Sequence, residues 1–231
     1  WQMDVNKTRR FVSECCERRD GQLWNLKTGR RIAALMPVHL LGSMADVDGF
    51  AKLANEYALP LIEDAAESLG AEYKGRKTAT ILQSEPSLER YVATSFNGNK
   101  IITTGGGGAL FTYSPENDTA AKHLSTTAKT DPLEFIHDAV GYNYRLTNTA
   151  AALGCSQLEL LDGHVQKKRE IARIYENLFE GDERIQLMPV APHVEPSFWL
   201  YTVCLRGRSA LPVVKALGEK GIQTRPLWKP L

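Results

Sequence analysis

The stretch RIAALMPVHLLGSMADVDGFAKLANEYALPLIED, residues 31–64, decides the fold. RIAALMPV (31–38) is an apolar run of strand length, ended by His39, Leu40, Leu41 and Gly42. Asp46 is placed to cap a helix, because Val47, Phe50, Ala51, Ala54 and Tyr57 then recur at helical spacing and Pro60 lies just beyond. LPLIED (59–64) is a second short apolar run, stopped by two acids. Strand, helix and strand over about thirty residues form a βαβ unit, which requires a mainly parallel sheet with helices covering both faces. In such sheets ligands gather at the carboxyl ends of the strands. His39, Glu63 and Asp64 all fall at such ends.

Downstream, VATSFNGNKIITTGGGGALFT (92–112) sets one lysine, Lys100, ahead of Gly105-Gly106-Gly107-Gly108. Local pattern alone reads it as a hairpin: a strand, an Asn-Gly turn, a short strand, a glycine-rich turn and a strand. Tyr91–Phe96 and Ala109–Tyr113 are its outer strands, and Ser114-Pro115-Glu116 starts a helix running to about Ala128. A long helical tract spans Thr149–Phe179, with Gly163 as a candidate interruption. Upstream, residues 5–19 fit a helix with Val5, Phe11, Val12 and Cys15 on one side, broken by RRDG. GDERIQLMPVAPHVEP (181–196) carries three prolines and reads as a boundary. Beyond it come a strand (197–207), a helix (209–221) and a strand (222–227). The expected division is a large α/β domain over 1–180 and a small α+β domain over 181–231.

Bulk properties narrow the function. The 28 basic residues balance 27 acidic ones, so no surplus charge attracts nucleic acid or an anionic membrane. The four cysteines form no CxxC pair, and reduced thiols in a cytoplasm are the simplest reading. No apolar run reaches the length of a membrane span, and the N-terminus lacks a basic-then-apolar signal. The chain opens at Trp1 and closes on TRPLWKPL, which reads as a piece of a longer protein. The five histidines are scattered without HxxxH or Cys/His grouping, so no metal is expected. No GxGxxG occurs, and GGGG runs into the strand-like ALFTY, so NAD and ATP are discounted.

A carboxylate and an amine converging on one cleft suit pyridoxal phosphate: the lysine bonds the cofactor and the aspartate keeps its ring nitrogen protonated. Taken alone, Asp64 reads better as an N-cap of the AAESLG turn, Lys100 as a solvated loop lysine and Glu67 as a surface acid. Ser95 and the loop amides offer phosphate donors. His39 is divided evenly between a core histidine and a site residue.

PVHLLG (37–42), IEDAAESLGAEYKGR (62–76), SFNGNKIITTGGGG (95–108), GYNYRLTNTAAALGCSQLE (141–159) and GIQTRPLW (221–228) follow in this order. Together they resemble the DegT/StrS family of sugar-nucleotide 4-keto aminotransferases, which are fold-type I pyridoxal phosphate enzymes. Within it, SFNGNKIITTGGGG and EDAAESLGA look most like the enzymes that aminate UDP-4-keto-6-deoxy-N-acetylglucosamine for legionaminic acid or bacillosamine-type sugars. The resemblance implies that Lys100 is the Schiff-base lysine, Asp64 the partner of the pyridine nitrogen, and Glu67 a neighbour of the ring hydroxyl. It makes Ser95 the phosphate serine and Asn143 a phosphate ligand of the neighbouring subunit, hence a homodimer with shared sites. It sets Arg225 and Trp228 on the substrate side, with an amino-acid donor, glutamate by resemblance; His39, at its strand end, is the further substrate-binding candidate. Members with histidine at the lysine position dehydrate instead. It also implies that both domains are incomplete here, and that the 77–94 link, KTATILQSEPSLERYVAT, is longer than usual. The rival readings are a different keto-sugar acceptor and a non-catalytic remnant of the same fold.

Overall fold

The computed structural model describes residues 1–81, 87–131 and 133–228. In chain order the elements are α1 (Val5–Cys15), β1 (Cys16–Arg19), β2 (Gln22–Asn25), β3 (Arg31–Ile32), α2 (Val47–Tyr57), β4 (Leu61–Asp64), β5 (Glu72–Tyr73), β6 (Arg76–Lys77), β7 (Arg90–Ser95) and β8 (Gly108–Thr112). They continue with α3 (Pro115–Ser125), β9 (Lys129–Asp131), β10 (Ile136–His137), α4 (Asn148–Glu159), α5 (Leu161–Leu178), β11 (Ile185–Leu187), β12 (Val194–Glu195), β13 (Val203–Leu205) and α6 (Ala210–Glu219).

The sheet that carries the site runs β4-β7-β8. β4 and β7 are parallel, from Leu61 opposite Arg90 to Asp64 opposite Ala93. β7 and β8 are antiparallel, from Tyr91 opposite Thr112 to Ser95 opposite Gly108. On the other edge of β4, residues 35–39 add a further parallel segment through bridges at Leu35–Leu61 and Val38–Asp64. Its bonds run from Leu35 N to Pro60 O, from Ile62 N to Leu35 O, from Asp64 N to Pro37 O and from His39 N to Asp64 O, all 2.8–3.0 Å. Pro37 accepts but cannot donate, so the expected strand over 31–38 is reduced to β3 and these bridges.

The βαβ unit is present. Asp46 caps α2 by accepting the Gly49 amide at 3.0 Å, and Tyr73 Oη donates to the same carboxylate oxygen at 2.9 Å. Phe50, Ala51, Leu53 and Ala54 of α2 bury against Val12, Leu23, Leu35 and Leu61, which makes the main core. Burial of the larger of these, such as Phe50 and Leu53, stabilises by roughly 1.5–3 kcal/mol each.

Several elements differ from the sequence expectation. α1 ends at Cys15 because Asp20 (φ 48°) and Gly21 (φ 76°) form a two-residue hairpin turn that pairs β1 with β2. The long helical tract breaks at Leu160, between α4 and α5, and not at Gly163. Residues 197–207 keep only β13 as strand, paired antiparallel with β11. Residues 222–227 form no strand and are exposed, having nothing to pair with among the described residues. The proline-rich stretch 181–196 is not a free linker: β12 pairs with β5, and Val194 joins Met44, Val47 and Tyr73 in a second core cluster. Of the long 77–94 link, residues 82–86 lie outside the described residues.

Candidate active site

β4 ends in two acids, and the strand's alternation sends them to opposite faces. Glu63 is fully buried. Its Oε2 meets His39 Nε2 at 2.9 Å and its Oε1 accepts Arg90 Nε at 2.5 Å. Burial pushes this carboxyl up, but the hydrogen bonds from His39 and Arg90 outweigh it, and the net direction is down. Arg90 also donates to Ile81 O and lies 4.6 Å from the centre of the Tyr113 ring, whose hydroxyl donates to Ala79 O at 2.6 Å.

His39 belongs to this buried network. Its Nδ1 accepts the Ala45 amide at 3.1 Å, so Nε2 carries the proton and donates to Glu63. The ring is 0% exposed with both nitrogens engaged. This placement does not suit the substrate contact expected of His39: what the histidine does is fix the end of the 35–39 segment beside Asp64.

On the other face, Asp64 Oδ1 accepts the Ala66 amide at 3.0 Å. The turn that follows brings back Glu67, whose Oε2 accepts the Leu41 amide at 2.7 Å. Leu41 holds a left-handed backbone, φ 61°, which aims its amide at that carboxylate. Burial pushes the Glu67 carboxyl up, partly offset by the Leu41 bond and by Lys100.

Lys100 reaches the same place from the β7–β8 connection. The hairpin expected there is real, but the connection is a long loop over 96–107 without a middle strand. It is shaped by bonds from Phe96 N to Gly107 O, Thr104 N to Phe96 O and Lys100 N to Asn97 O, at 2.9–3.0 Å, with Ile102 buried beneath. Burial pushes the Lys100 amine down, and the Glu67 and Asp64 carboxylates pull it part of the way back. Asp64, Glu67 and Lys100 are therefore one electrostatic unit at the carboxyl end of β4.

Ser95 ends β7, and its Oγ accepts the Asn97 amide at 3.2 Å, leaving the hydroxyl hydrogen free to donate. The glycines divide. A Cβ on Gly105 or Gly106 would meet nothing within 4 Å, whereas one on Gly108 would lie 2.2 Å from Thr94 O. Gly108 is thus required by strand pairing, whereas the backbone at the first two is open to a side chain.

Asn143 is exposed and pairs with Thr126 beyond α3; among the described residues no contact joins it to Lys100 or Asp64. Arg225 is exposed in the extended tail. Trp228 lies parallel to Trp199 with centroids 6.0 Å apart, and Trp199 in turn lies under Lys100 Nζ, 4.0 Å from the ring centre. Trp199 and the Leu41 amide are the site components that sequence reasoning misses. The only hint of the first is a tryptophan three residues after Pro196, in a stretch whose helix or strand period says nothing about its partner.

An amine, two acids and a hydroxyl collected at a parallel strand end are the kinds of group that pyridoxal phosphate chemistry uses. The fold and this set define a pyridoxal phosphate-dependent aminotransferase fold. The chain belongs to the DegT/DnrJ/EryC1/StrS aminotransferase family, which it matches over residues 23–231. Enzymes of this family depend on pyridoxal phosphate. EpsN of Bacillus subtilis (strain 168) is 39% identical over 206 residues, covering 89% of this chain and 51% of EpsN. A GDP-perosamine synthase of Caulobacter vibrioides is 40% identical over 207 residues, covering 87% of this chain and 53% of the synthase. The crystal structure of S. venezuelae DesV superposes with a TM-score of 0.77 at 28% identity, over 96% of this chain and 53% of DesV. The chain thus spans about half the length of the curated relatives it matches. Relatives named for their sugars divide between GDP-linked and UDP-linked ones.

Proposed function

We propose that the protein to which this chain belongs transfers an amino group from an amino acid, glutamate in our reading, to the keto group of a nucleotide-linked sugar. The observation that carries this is the joint placement of Lys100, Asp64 and Glu67, with the lysine amine lowered by burial at the site where two acids face it. Pyridoxal phosphate, when bound, supplies the electron sink that acidifies the carbon bearing the amino group. Lys100 would hold the cofactor through Nζ and, with its amine free, would carry at Nζ the proton that leaves the substrate carbon and is delivered to the cofactor carbon. A lowered amine suits both tasks, because more of it is neutral near neutral pH. Asp64 would hold positive charge at the ring nitrogen, Glu67 would serve the ring hydroxyl and Ser95 would donate its hydroxyl to the phosphate.

Asn143, exposed in this chain, serves the phosphate of a second copy in a homodimer with shared sites. Arg225 and Trp228 approach the sugar nucleotide, a role supported for Trp228 by its stacking on Trp199. The division into a cofactor domain over 1–180 and a small domain over 181–231, and a cytoplasmic location, complete the proposal. As acceptor we propose UDP-4-keto-6-deoxy-N-acetylglucosamine.

The test is amino transfer by the intact protein to UDP-linked and GDP-linked keto sugars in parallel, with wild type and Lys100→Ala. Transfer to the UDP sugar by wild type alone is the expected result. Transfer to the GDP sugar alone would replace the acceptor and keep the reaction. Equal transfer by the variant would refute the role of Lys100.

A further inference from the structure

Trp199 is 3% exposed and is pinned between segments far apart in sequence. Ser197 N donates to Gly42 O at 2.8 Å, and a Cβ on Gly42, whose φ is +84°, would lie 2.4 Å from Trp199 N. A glycine is needed for backbones to approach so closely at that φ. From α5, Lys168 Nζ donates to Trp199 O at 3.1 Å and Arg169 Nε to Pro196 O at 2.9 Å. The indole Nε1 donates to Asn99 O at 2.7 Å, one residue ahead of Lys100, while Lys100 Nζ lies 4.0 Å from the centre of the indole ring. One aromatic side chain thereby touches the lysine at its backbone root and at its charged tip.

We propose that Trp199 is a positioning residue for Lys100: its indole face docks the ammonium form of the lysine, and its Nε1–H fixes the backbone from which the lysine projects. The negative face of an aromatic ring attracts an ammonium and not a neutral amine, so the dock favours the charged form. Asp64, from the end of β4, and Glu67, from the turn after it, act in the same sense, and burial acts against them. Lys168 and Arg169 of α5 are the other cations named at this junction, and they are bonded to the Trp199 and Pro196 carbonyls. The dock gives the lysine a defined resting place whenever its amine is free and protonated. That consequence rests on the reading of Lys100 as the reacting lysine; the contact does not.

The experiment is a pH titration of Lys100 in the intact protein stripped of cofactor. It is followed by competitive acylation with acetic anhydride and mass spectrometry of the Lys100 peptide. Trp199 is compared with tetrafluorotryptophan introduced at the same position, which keeps the shape and the N–H donor but strips the ring face of its negative charge. The fluorinated protein is expected to titrate lower by about half to one pH unit, and Trp199→Phe, which retains a face, by less. A midpoint that is unchanged or higher in the fluorinated protein would overturn the proposal, because a ring that merely excludes water does so equally well when fluorinated. Adding pyridoxal phosphate to the unsubstituted protein answers the separate question: if Lys100 fails to bond it, the proposed reaction falls while the dock stands or falls on the titration.

Discussion

On one face of β4 the Glu63 carboxylate is closed in by His39 at 2.9 Å and Arg90 at 2.5 Å, while one residue later, on the opposite face, Asp64 binds the Ala66 amide and faces the amine of Lys100. Two adjacent acids thus have opposite fates. Glu63 is sealed with the Arg90 counter-charge and the His39 N–H and serves the fold, whereas Asp64 sits half-buried beside a lysine and is available for chemistry. The difference comes from strand alternation, since successive side chains leave a strand on opposite sides. Position at a strand end therefore marks a candidate site, but which face the side chain takes decides whether it belongs to the site or to its foundation.

Glu63→Gln tests this contrast with the largest expected effect. The substitution leaves Arg90 buried without its counter-charge, and urea unfolding should show a loss of about 3–5 kcal/mol. Asp64→Asn should do the reverse. Its amide oxygen can still accept the Ala66 amide, so stability should change by less than about 1 kcal/mol. Amino transfer should fall by about 10²–10³ in turnover, the scale of losing one preorganised electrostatic contact. If Asp64→Asn unfolds the protein while Glu63→Gln does not, the assignment of the two faces is reversed.

Two glycines sharpen the comparison at a smaller scale. Gly42 and Gly105 have nearly the same φ, +84° and +83°, but a Cβ on the first meets Trp199 N at 2.4 Å and one on the second meets nothing within 4 Å. Gly105→Ala should cost about 1–2 kcal/mol from left-handed strain alone. Gly42→Ala should add an overpacking cost of about 1–3 kcal/mol and disturb Lys100 through Trp199. Thermal unfolding of the two variants side by side checks the order. The smallest effect concerns acid. Because the folded Glu63 carboxyl lies below its unfolded value of about 4.3, its contribution is complete above that pH and is lost as pH falls through the lowered folded value. Stability measured between neutral pH and the acid limb should fall less steeply in Glu63→Gln than in wild type.

The parts of the molecule legible in sequence are those set by local chemistry. Asp46 as a cap, the period of Val47 to Tyr57 and the two acids closing LPLIED place the βαβ unit and the strand end correctly. The end of α1 is less legible, because RRDG contains both a helix breaker and an Asp-Gly hairpin turn, and the turn prevails once β2 is available as a partner. The environment of His39 depends on Ala45 and on Glu63, whose side chains or amides meet it only through the βαβ crossover. Trp199 lies 100 residues from the carbonyl it binds, so nothing local could reveal it. The resemblance to a family supplied the chemistry of Lys100 and Asp64, and the coordinates supply what lies beneath and beside them.

Everything proposed for the open face of β4 turns on Lys100 being the lysine that bonds pyridoxal phosphate. The most direct measurement is the visible absorption spectrum of the intact protein titrated with pyridoxal phosphate, in wild type and in Lys100→Ala. Wild type should develop the absorption band of lysine-bound cofactor, and borohydride reduction should fix the added mass on the Lys100 peptide. Lys100→Ala should lack the band. The same band in Lys100→Ala, or the reduced cofactor on another lysine in wild type, would contradict the claim.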